Sequence, residues 1–369
     1  MTDLPLPDHL ARLPVTELHF TLRSRYAAKL PPFLGPTLRG ALGHALRVTA
    51  CPMRCDGAGR EGSGPECFHA GLCAYATLFD PPSPPGEAAP ARPFVLLPPP
   101  PTAGSATHLA ADDTLIFGVR LFGPALEHFP ALIGAVARLG RLGLGAPDFE
   151  GLRGVEARTE AAIEAVRRLA PPRHAADRAE ADALVEQLVA WESGRFSFDL
   201  EAVHDAAGRE VFSPGLRAPA APMAFELGDA ALPPVEDRLV VHCVTPLRLE
   251  FGRQIERHPT GRTLVRATML RLEALSRAFF GASHGIAVRP LLDAASTLTS
   301  DVADLTPTRG LERFSTSQQK SVNLDGVMGR LSLSGEAVRE LAWVFRLAEI
   351  LHLGSDTVQG LGRVELEPR

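Results

Sequence analysis

Four cysteines, Cys51, Cys55, Cys67 and Cys73, stand in a C-x3-C-x11-C-x5-C pattern. Thiolates are soft ligands, and four of them fill the tetrahedral shell of a zinc ion. The segment around them is rich in glycine and proline and too poor in apolar residues to fold by packing, so a bound metal would supply its folding energy. In a reducing compartment a metal site is a better reading than two disulfides. An iron–sulfur cluster and unligated thiols stand as alternatives, and His69 is a substitute ligand. Zinc held by four protein ligands would be structural, with no catalytic metal implied. The fifth cysteine, Cys243, alternates with apolar residues in a predicted strand and reads as a buried small hydrophobe.

A second pattern lies near the end of the chain. In HLGSDTVQGLGRVEL, residues 352–366, Gly354, Gly360 and Gly362 follow a predicted helix and precede a predicted strand. A dinucleotide fingerprint needs its glycines after a strand and before a helix, and a P-loop needs Gly-Lys-Ser/Thr, so both are excluded. What remains is a loop whose missing side chains allow another backbone to come close. A helix C-cap at Gly354 with a bulge at Gly360 and Gly362 accounts for the spacing equally well.

The elements that must position these patterns fall into two units. Residues 15–25 partly alternate and read as a strand, and residues 37–48 carry Leu38, Leu42 and Leu46 at helical spacing after Pro36. Residues of about 50–110 turn to cysteine, glycine and proline runs and read as an insertion. A strand over 114–122, a helix over 128–139, a helical insertion over about 157–193 and a hairpin over 196–211 follow. After a linker, a second unit reads as a strand at 238–251, a helix at 263–280, strands near 311–317 and 326–333, a helix at 336–351 and a strand at 362–366. That order is βαββαβ. The expected fold is α+β, with two tandem ferredoxin-like (RRM-like) domains over residues 1–235 and 236–369 and the Cys-rich insertion in the first.

Charge is distributed unevenly. The formal total of -5 argues against a uniformly basic binder, but residues 236–369 hold 17 Arg/Lys against 16 Asp/Glu, or +1, which leaves 21 against 27, or -6, for the first 235. The second unit is the less repulsive partner for phosphate. No stretch is apolar enough for a signal peptide or a bilayer span, so the expectation is a soluble, cytoplasmic protein without a membrane partner.

The glycine tail resembles the C-terminal glycine-rich motif of the RAMP superfamily, and specifically its endoribonucleases that process CRISPR precursor RNA. Three further segments carry the resemblance in the family's order: PPFLGPTLRGALGHALR at 31–47, the cysteine cluster with AYATLFD behind it, and RFSTSQQKSVNLDGVMGRLSLSG at 313–335. The resemblance implies tandem ferredoxin-like folds, CRISPR repeat RNA and precursor crRNA as substrate, other CRISPR effector subunits as partners, and metal-independent cleavage that leaves 5′-hydroxyl and 2′,3′-cyclic phosphate ends.

Such cleavage needs a group to deprotonate the 2′-hydroxyl, one to protonate the leaving 5′-oxygen, and positive charge near phosphorus. In the resembling family a histidine on or near the first helix is the general acid or base, a position that His44 matches, with Tyr26 as a candidate partner. His352, beside the glycine loop, is the second choice, although a histidine in a last helical turn also serves the helix dipole. Arg39 and Arg47 share the helix of His44, and Lys29 precedes it. Lys320, Arg313 and Arg330 lie in or beside the predicted hairpin where the family carries basic RNA contacts, and Gly354, Gly360, Gly362 and Arg363 complete the expected RNA-binding set. Solvated turns and solvated helical arginines are the plain alternatives for each. Two other functions fit the same patterns: a non-catalytic RAMP subunit that binds guide RNA, and a metalloprotein whose cysteine cluster is its working centre.

Overall fold

The computed structural model describes residues 4–25, 28–50, 72–81, 90–102, 106–144, 197–232, 234–252, 254–315 and 320–368. Tyr26, Cys51, Cys55, Cys67, His69 and the expected helical insertion at 157–193 lie outside the described residues.

In the first half, strand β1 (Pro14–Ser24) leads to helix α1 (Gly35–Ala50) and a short helix α2 (Ala74–Phe79), then to strands β2 (Phe94–Leu97) and β3 (Thr114–Phe122), helix α3 (Phe129–Leu142) and strand β4 (Phe198–Asp205). All neighbouring strands are antiparallel, in the order β2-β3-β1-β4, with Glu210–Phe212 added beyond β4. Alternation sets the faces. Leu18, Phe20 and Leu22 of β1 point into a core with Phe117, Val119 and Leu121 of β3 and the inner faces of α1 and α3. Phe94–Leu97 lies inside the stretch read as an insertion, yet its four residues are buried and form a sheet strand. Prolines on both sides disguise it as loop.

The second half runs through strand β5 (Arg238–Leu247), helices α4 (Gly261–Phe280) and α5 (Val288–Ala295), strand β6 (Thr299–Pro307), a separate hairpin of β7 (Glu312–Ser315) and β8 (Lys320–Asn323), strand β9 (Val327–Ser334), helix α6 (Ala337–Leu351) and strand β10 (Val364–Pro368). Its antiparallel sheet has the order β6-β9-β5-β10. The α4 start is fixed by a capping box, in which Thr260 accepts from the Thr263 amide and Thr263 from the Thr260 amide. One strand differs from expectation. The sheet uses Thr299–Pro307, whereas the segment near 311–317 pairs only with β8. As an edge strand with little burial on either side, β6 shows no apolar alternation for a sequence reading to find.

The two halves share packing. Leu10, Leu13, Val15, Val95 and Phe122 from the first join the core built by α4, α6 and the second sheet. Beside them Arg120 on β3 forms an ion pair with Glu17 on β1 at 2.6 Å, and donates to the carbonyls of Glu349 and Ile350 in the last turn of α6. Carbonyls at a helix C-terminus lack partners within the helix, so this guanidinium caps one unit from the other. Burial alone would raise the Glu17 carboxyl, but hydrogen bonding from His19 and the charge and hydrogen bonding of Arg120 outweigh it and hold the group down to about 2.

Replacing Arg120 with Met should lower stability by about 3 kcal/mol, because it strands a nearly buried carboxylate and two carbonyls. A folded-state pKa below the unfolded value gives stability that is present above pH 4.5 and lost as pH falls toward about 2. Urea unfolding of wild type and Glu17→Gln should therefore converge across that window; a constant difference would refute the assignment.

Candidate nucleic-acid interface

Helix α1 buries Leu38, Leu42, Ala45 and Leu46, which leaves His44 exposed on the outer face. Gly43 lets α2 approach: a side chain there would meet the Phe79 ring at 2.9 Å. The contact arranges four side chains as a ladder. The Arg39 guanidinium lies 5.2 Å from the Phe79 ring centre, Phe79 stacks on Tyr75 at 5.9 Å with an 8° interplanar angle, and Arg47 sits 5.8 Å from the Tyr75 ring. Cations over aromatic faces are held by the ring quadrupole while keeping their charge available.

Arg92 enters beside this ladder, its Nε donating to the Phe79 carbonyl at 3.0 Å. Arg313 arrives from β7 of the other half, 3.7 Å from Asp356, which also accepts from Gln359 at 2.8 Å. Burial first, then the charge of Arg92 and more weakly that of Arg313, lowers the Arg39 pKa. Burial raises the Tyr75 hydroxyl, against the opposing charges of Arg47, Arg39 and Arg92. Sequence reasoning did not assign Arg92 or Tyr75. The tyrosine stood in the AYATLFD motif, whereas an arginine among prolines carries no periodicity that could have marked it.

The glycine tail meets this surface, but its spaces are filled from within. A side chain at Gly354 would lie 2.1 Å from the Arg248 carbonyl, at Gly360 2.2 Å from Pro98 Cδ, and at Gly362 1.8 Å from the Leu353 carbonyl, and all three glycines have positive φ. Backbone hydrogen bonds close the loop, with Leu353 donating to Gly362 and Gly362 to Pro246. The close approach expected of another chain is thus made by the protein's own backbone and by Pro98 of the first half. The reach across the halves is reciprocal: a side chain at Gly35, at the start of α1, would lie 1.8 Å from the Gln359 carbonyl. This loop therefore seats the N-terminus of α1 against the second unit.

The remaining expected residues are spread around this centre. Lys29 is exposed on a short strand opposite His108, and Lys320 begins β8 opposite Ser315. Arg330 is exposed and pairs with Glu367 of β10 at 3.3 Å, so it joins the terminal strand rather than the β7–β8 hairpin. Arg363 pairs with Glu365 at 2.6 Å. His352 is fully buried at φ +59, with neither ring nitrogen hydrogen-bonded among the described residues. Burial, reinforced by Arg120, Arg363 and Arg271, keeps its pKa well below the ordinary value. With Glu17, Arg120 and Arg346 it lines a half-open pocket of about 310 Å³. Cys73 is buried at the start of α2, and among the described residues no group of three or more His, Cys, Asp or Glu side chains is placed to hold a metal. Cys243 is buried, its thiol pushed up to about 12 by desolvation. None of the described helices is long and apolar enough to cross a membrane.

Fold and site together define a mixed α/β protein of two antiparallel sheets with a basic, aromatic-backed surface where its halves meet. Residues 241–364 match the family model of the CRISPR-associated endoribonuclease Cas6, and residues 13–189 match the AF_1859_N family model, described as an N-terminal domain. The second half is thus similar to the Cas6 endoribonuclease family, in agreement with the resemblance carried by the motifs. A comparison with curated proteins finds no match. Among solved structures, the chain superposes on a partial Cas6-RT-Cas1–Cas2 complex with a TM-score of 0.52 at 14% identity, covering 98% of this chain and 47% of that one. For the Cas6-RT-Cas1–Cas2 complex the TM-score is 0.52 at 14% identity, with 98% and 29% covered. Thermus thermophilus Cas6 gives 0.45 at 12% identity, with 96% and 99% covered. The chain spans less than half of the first two, which show a shared fold.

Proposed function

We propose that this chain is an endoribonuclease that binds CRISPR repeat RNA and cuts precursor crRNA without a metal. The observation that carries the reading is the position of His44: exposed on α1, beside arginines of the same helix, and on the element seated against the Cas6 domain's glycine loop. In this reading the 2′-oxygen attacks phosphorus as His44 or Tyr26 removes its proton. The P–O5′ bond breaks as the other protonates the leaving oxygen. The products are a 2′,3′-cyclic phosphate and a 5′-hydroxyl. Arg39, Arg47, Arg313, Arg330, Arg363 and Lys320 supply positive charge toward the RNA, which stabilises the doubly charged phosphorane and holds the strand. The glycines Gly354, Gly360 and Gly362 contribute by seating α1 rather than by touching the strand. Each half is read as a ferredoxin-like domain, divided near residue 235. Supporting this is the βαββαβ order of sheet-forming elements in both, with the first and third strands central and the second and fourth flanking them.

The test is incubation of the purified chain with repeat RNA in excess chelator. Cleavage should persist, with 5′ ends that a polynucleotide kinase labels directly and 3′ ends that resist periodate until the cyclic phosphate is removed. Cleavage only on addition of magnesium would overturn the mechanism, and RNA bound but left intact would indicate the binding-subunit function.

The four-cysteine site is carried forward as a structural zinc site that folds its own segment. What supports it is the number of thiols and the composition around them. Purified protein should carry about one zinc per chain by elemental analysis, and Cys51→Ser should lower that content while cleavage by the folded fraction continues.

A further inference from the structure

Three guanidinium groups reach one place from three separate parts of the chain: Arg39 from α1, Arg92 from the segment before β2, and Arg313 from the β7–β8 hairpin of the second unit. Arg39 lies 5.2 Å from the Phe79 ring centre, Arg92 donates to the Phe79 carbonyl at 3.0 Å, and Arg313 pairs at 3.7 Å with Asp356; burial, and then the charges of Arg92 and more weakly Arg313, disfavour the charge of Arg39. Arg47 extends the cluster along the aromatic ladder. Among the described residues the carboxylates that act on Arg39 and Tyr75 are Asp356, which also pairs with Arg313, and Asp80. Donor capacity is left over as well, because the buried Nε atoms of Arg47 and Arg313 have no acceptor among the described residues. Clustered cations with unused donors on a rigid aromatic floor are unfavourable unless an anion completes them, and a phosphate oxygen accepts from several guanidinium groups at once.

We infer that Arg39, Arg92 and Arg313 form one phosphate subsite that bridges the two units and takes a single phosphodiester of single-stranded RNA. Naming RNA as the ligand rests on the proposed function; the anion site itself follows from the side chains. Because Arg313 belongs to one unit and Arg39 and Arg92 to the other, a bound phosphate would tie the halves together at the seat of α1. The stacked rings of Tyr75 and Phe79 lie against the Arg47 and Arg39 guanidinium groups, so these groups are positioned before the anion arrives.

The experiment is a salt titration of binding, read by fluorescence anisotropy with a labelled single-stranded repeat RNA, beside thermal unfolding of the free protein. Arg39→Gln should reduce the slope of log K against log salt by about 0.7, the loss of one single-strand phosphate contact. Arg39→Lys, which keeps the charge, should restore the slope. The double variant Arg39→Gln/Arg92→Gln should lose no more slope than Arg39→Gln alone, because both residues serve one phosphate. Free Arg39→Gln should melt no lower than wild type, since it relieves like-charge repulsion. Twice the slope loss in the double variant would mean separate phosphates and overturn the single subsite. An unchanged slope in Arg39→Gln, or a lowered melting point with binding intact, would assign the cluster to structure. If the wild type binds no RNA, inorganic pyrophosphate separates the two claims. Pyrophosphate that raises the wild-type melting temperature but not that of Arg39→Gln would keep the anion site and remove RNA as its ligand; no effect on either protein would remove the site.

Discussion

His44→Ala is expected to slow single-turnover cleavage of repeat RNA by about 10²- to 10⁴-fold, the range for losing a positioned proton-transfer group. RNA affinity should stay close to wild type. The side chain is exposed, and the buried face of α1 is made by Leu38, Leu42, Ala45 and Leu46, so its removal opens no cavity and thermal stability should hold. His352→Ala supplies the contrast. That ring is sealed between the units, and deleting it should destabilise by about 2 kcal/mol through lost packing. Its folded fraction should cleave at close to the wild-type rate. Full cleavage in His44→Ala, or a rate collapse confined to folded His352→Ala, would exchange the two histidines' roles.

This contrast follows from burial, which spacing alone conveys poorly. At the sequence level His352 is a polar residue at a helix end, where capping and catalysis both fit; its complete burial emerges only in the packed structure. His44 was readable because three leucines at helical spacing define the opposite face of its helix. The same distinction separates the strands. Thr114–Phe122 announces itself through apolar and aromatic residues that bury against β1, whereas Thr299–Pro307 has Asp301 and Asp304 within it and solvent along one edge. Phe94–Leu97 is apolar throughout, but four residues between prolines are too short for periodicity to identify.

The arginine cluster shows another limit. Arg39 and Arg47 could be placed on one helix from spacing, and Arg313 near a hairpin, but bringing Arg92 to that helix depends on the tertiary fold of the first half, and bringing Arg313 there depends on how the halves dock. Long-range assembly of that kind leaves no local signature. The glycine tail falls between these cases. Its spacing correctly implies a close backbone approach and cannot say whose backbone approaches. The partners proved to be Arg248, Leu353 and Pro98 of the same chain.

That finding makes Gly362→Ala the most damaging single substitution expected here. The new methyl carbon would sit 1.8 Å from the Leu353 carbonyl oxygen, with the Leu353 backbone nitrogen also within 2.9 Å, and φ is +70. Neither neighbour is a flexible side chain that could swing away. Relief requires breaking the hydrogen bonds from Leu353 to Gly362 and from Gly362 to Pro246, which hold the tail against β5. A loss on the order of 4 kcal/mol is expected from strain and the broken contacts together. Gly35→Ala isolates the seating of α1, because its position has an ordinary φ and the clash is with the Gln359 carbonyl across the two units. It should lower cleavage and loosen the glycine loop, detectable as faster amide exchange at residues 354–362, while the first half keeps its secondary structure. Gly40→Ala is the control on the same helix. Among the described residues nothing lies within 4 Å of its added carbon, so helix propensity should make it neutral or stabilising by up to about 1 kcal/mol. Wild-type unfolding of Gly362→Ala together with wild-type exchange in Gly35→Ala would show that these glycines are not required by the protein's own packing, and would return the tail to direct contact with RNA.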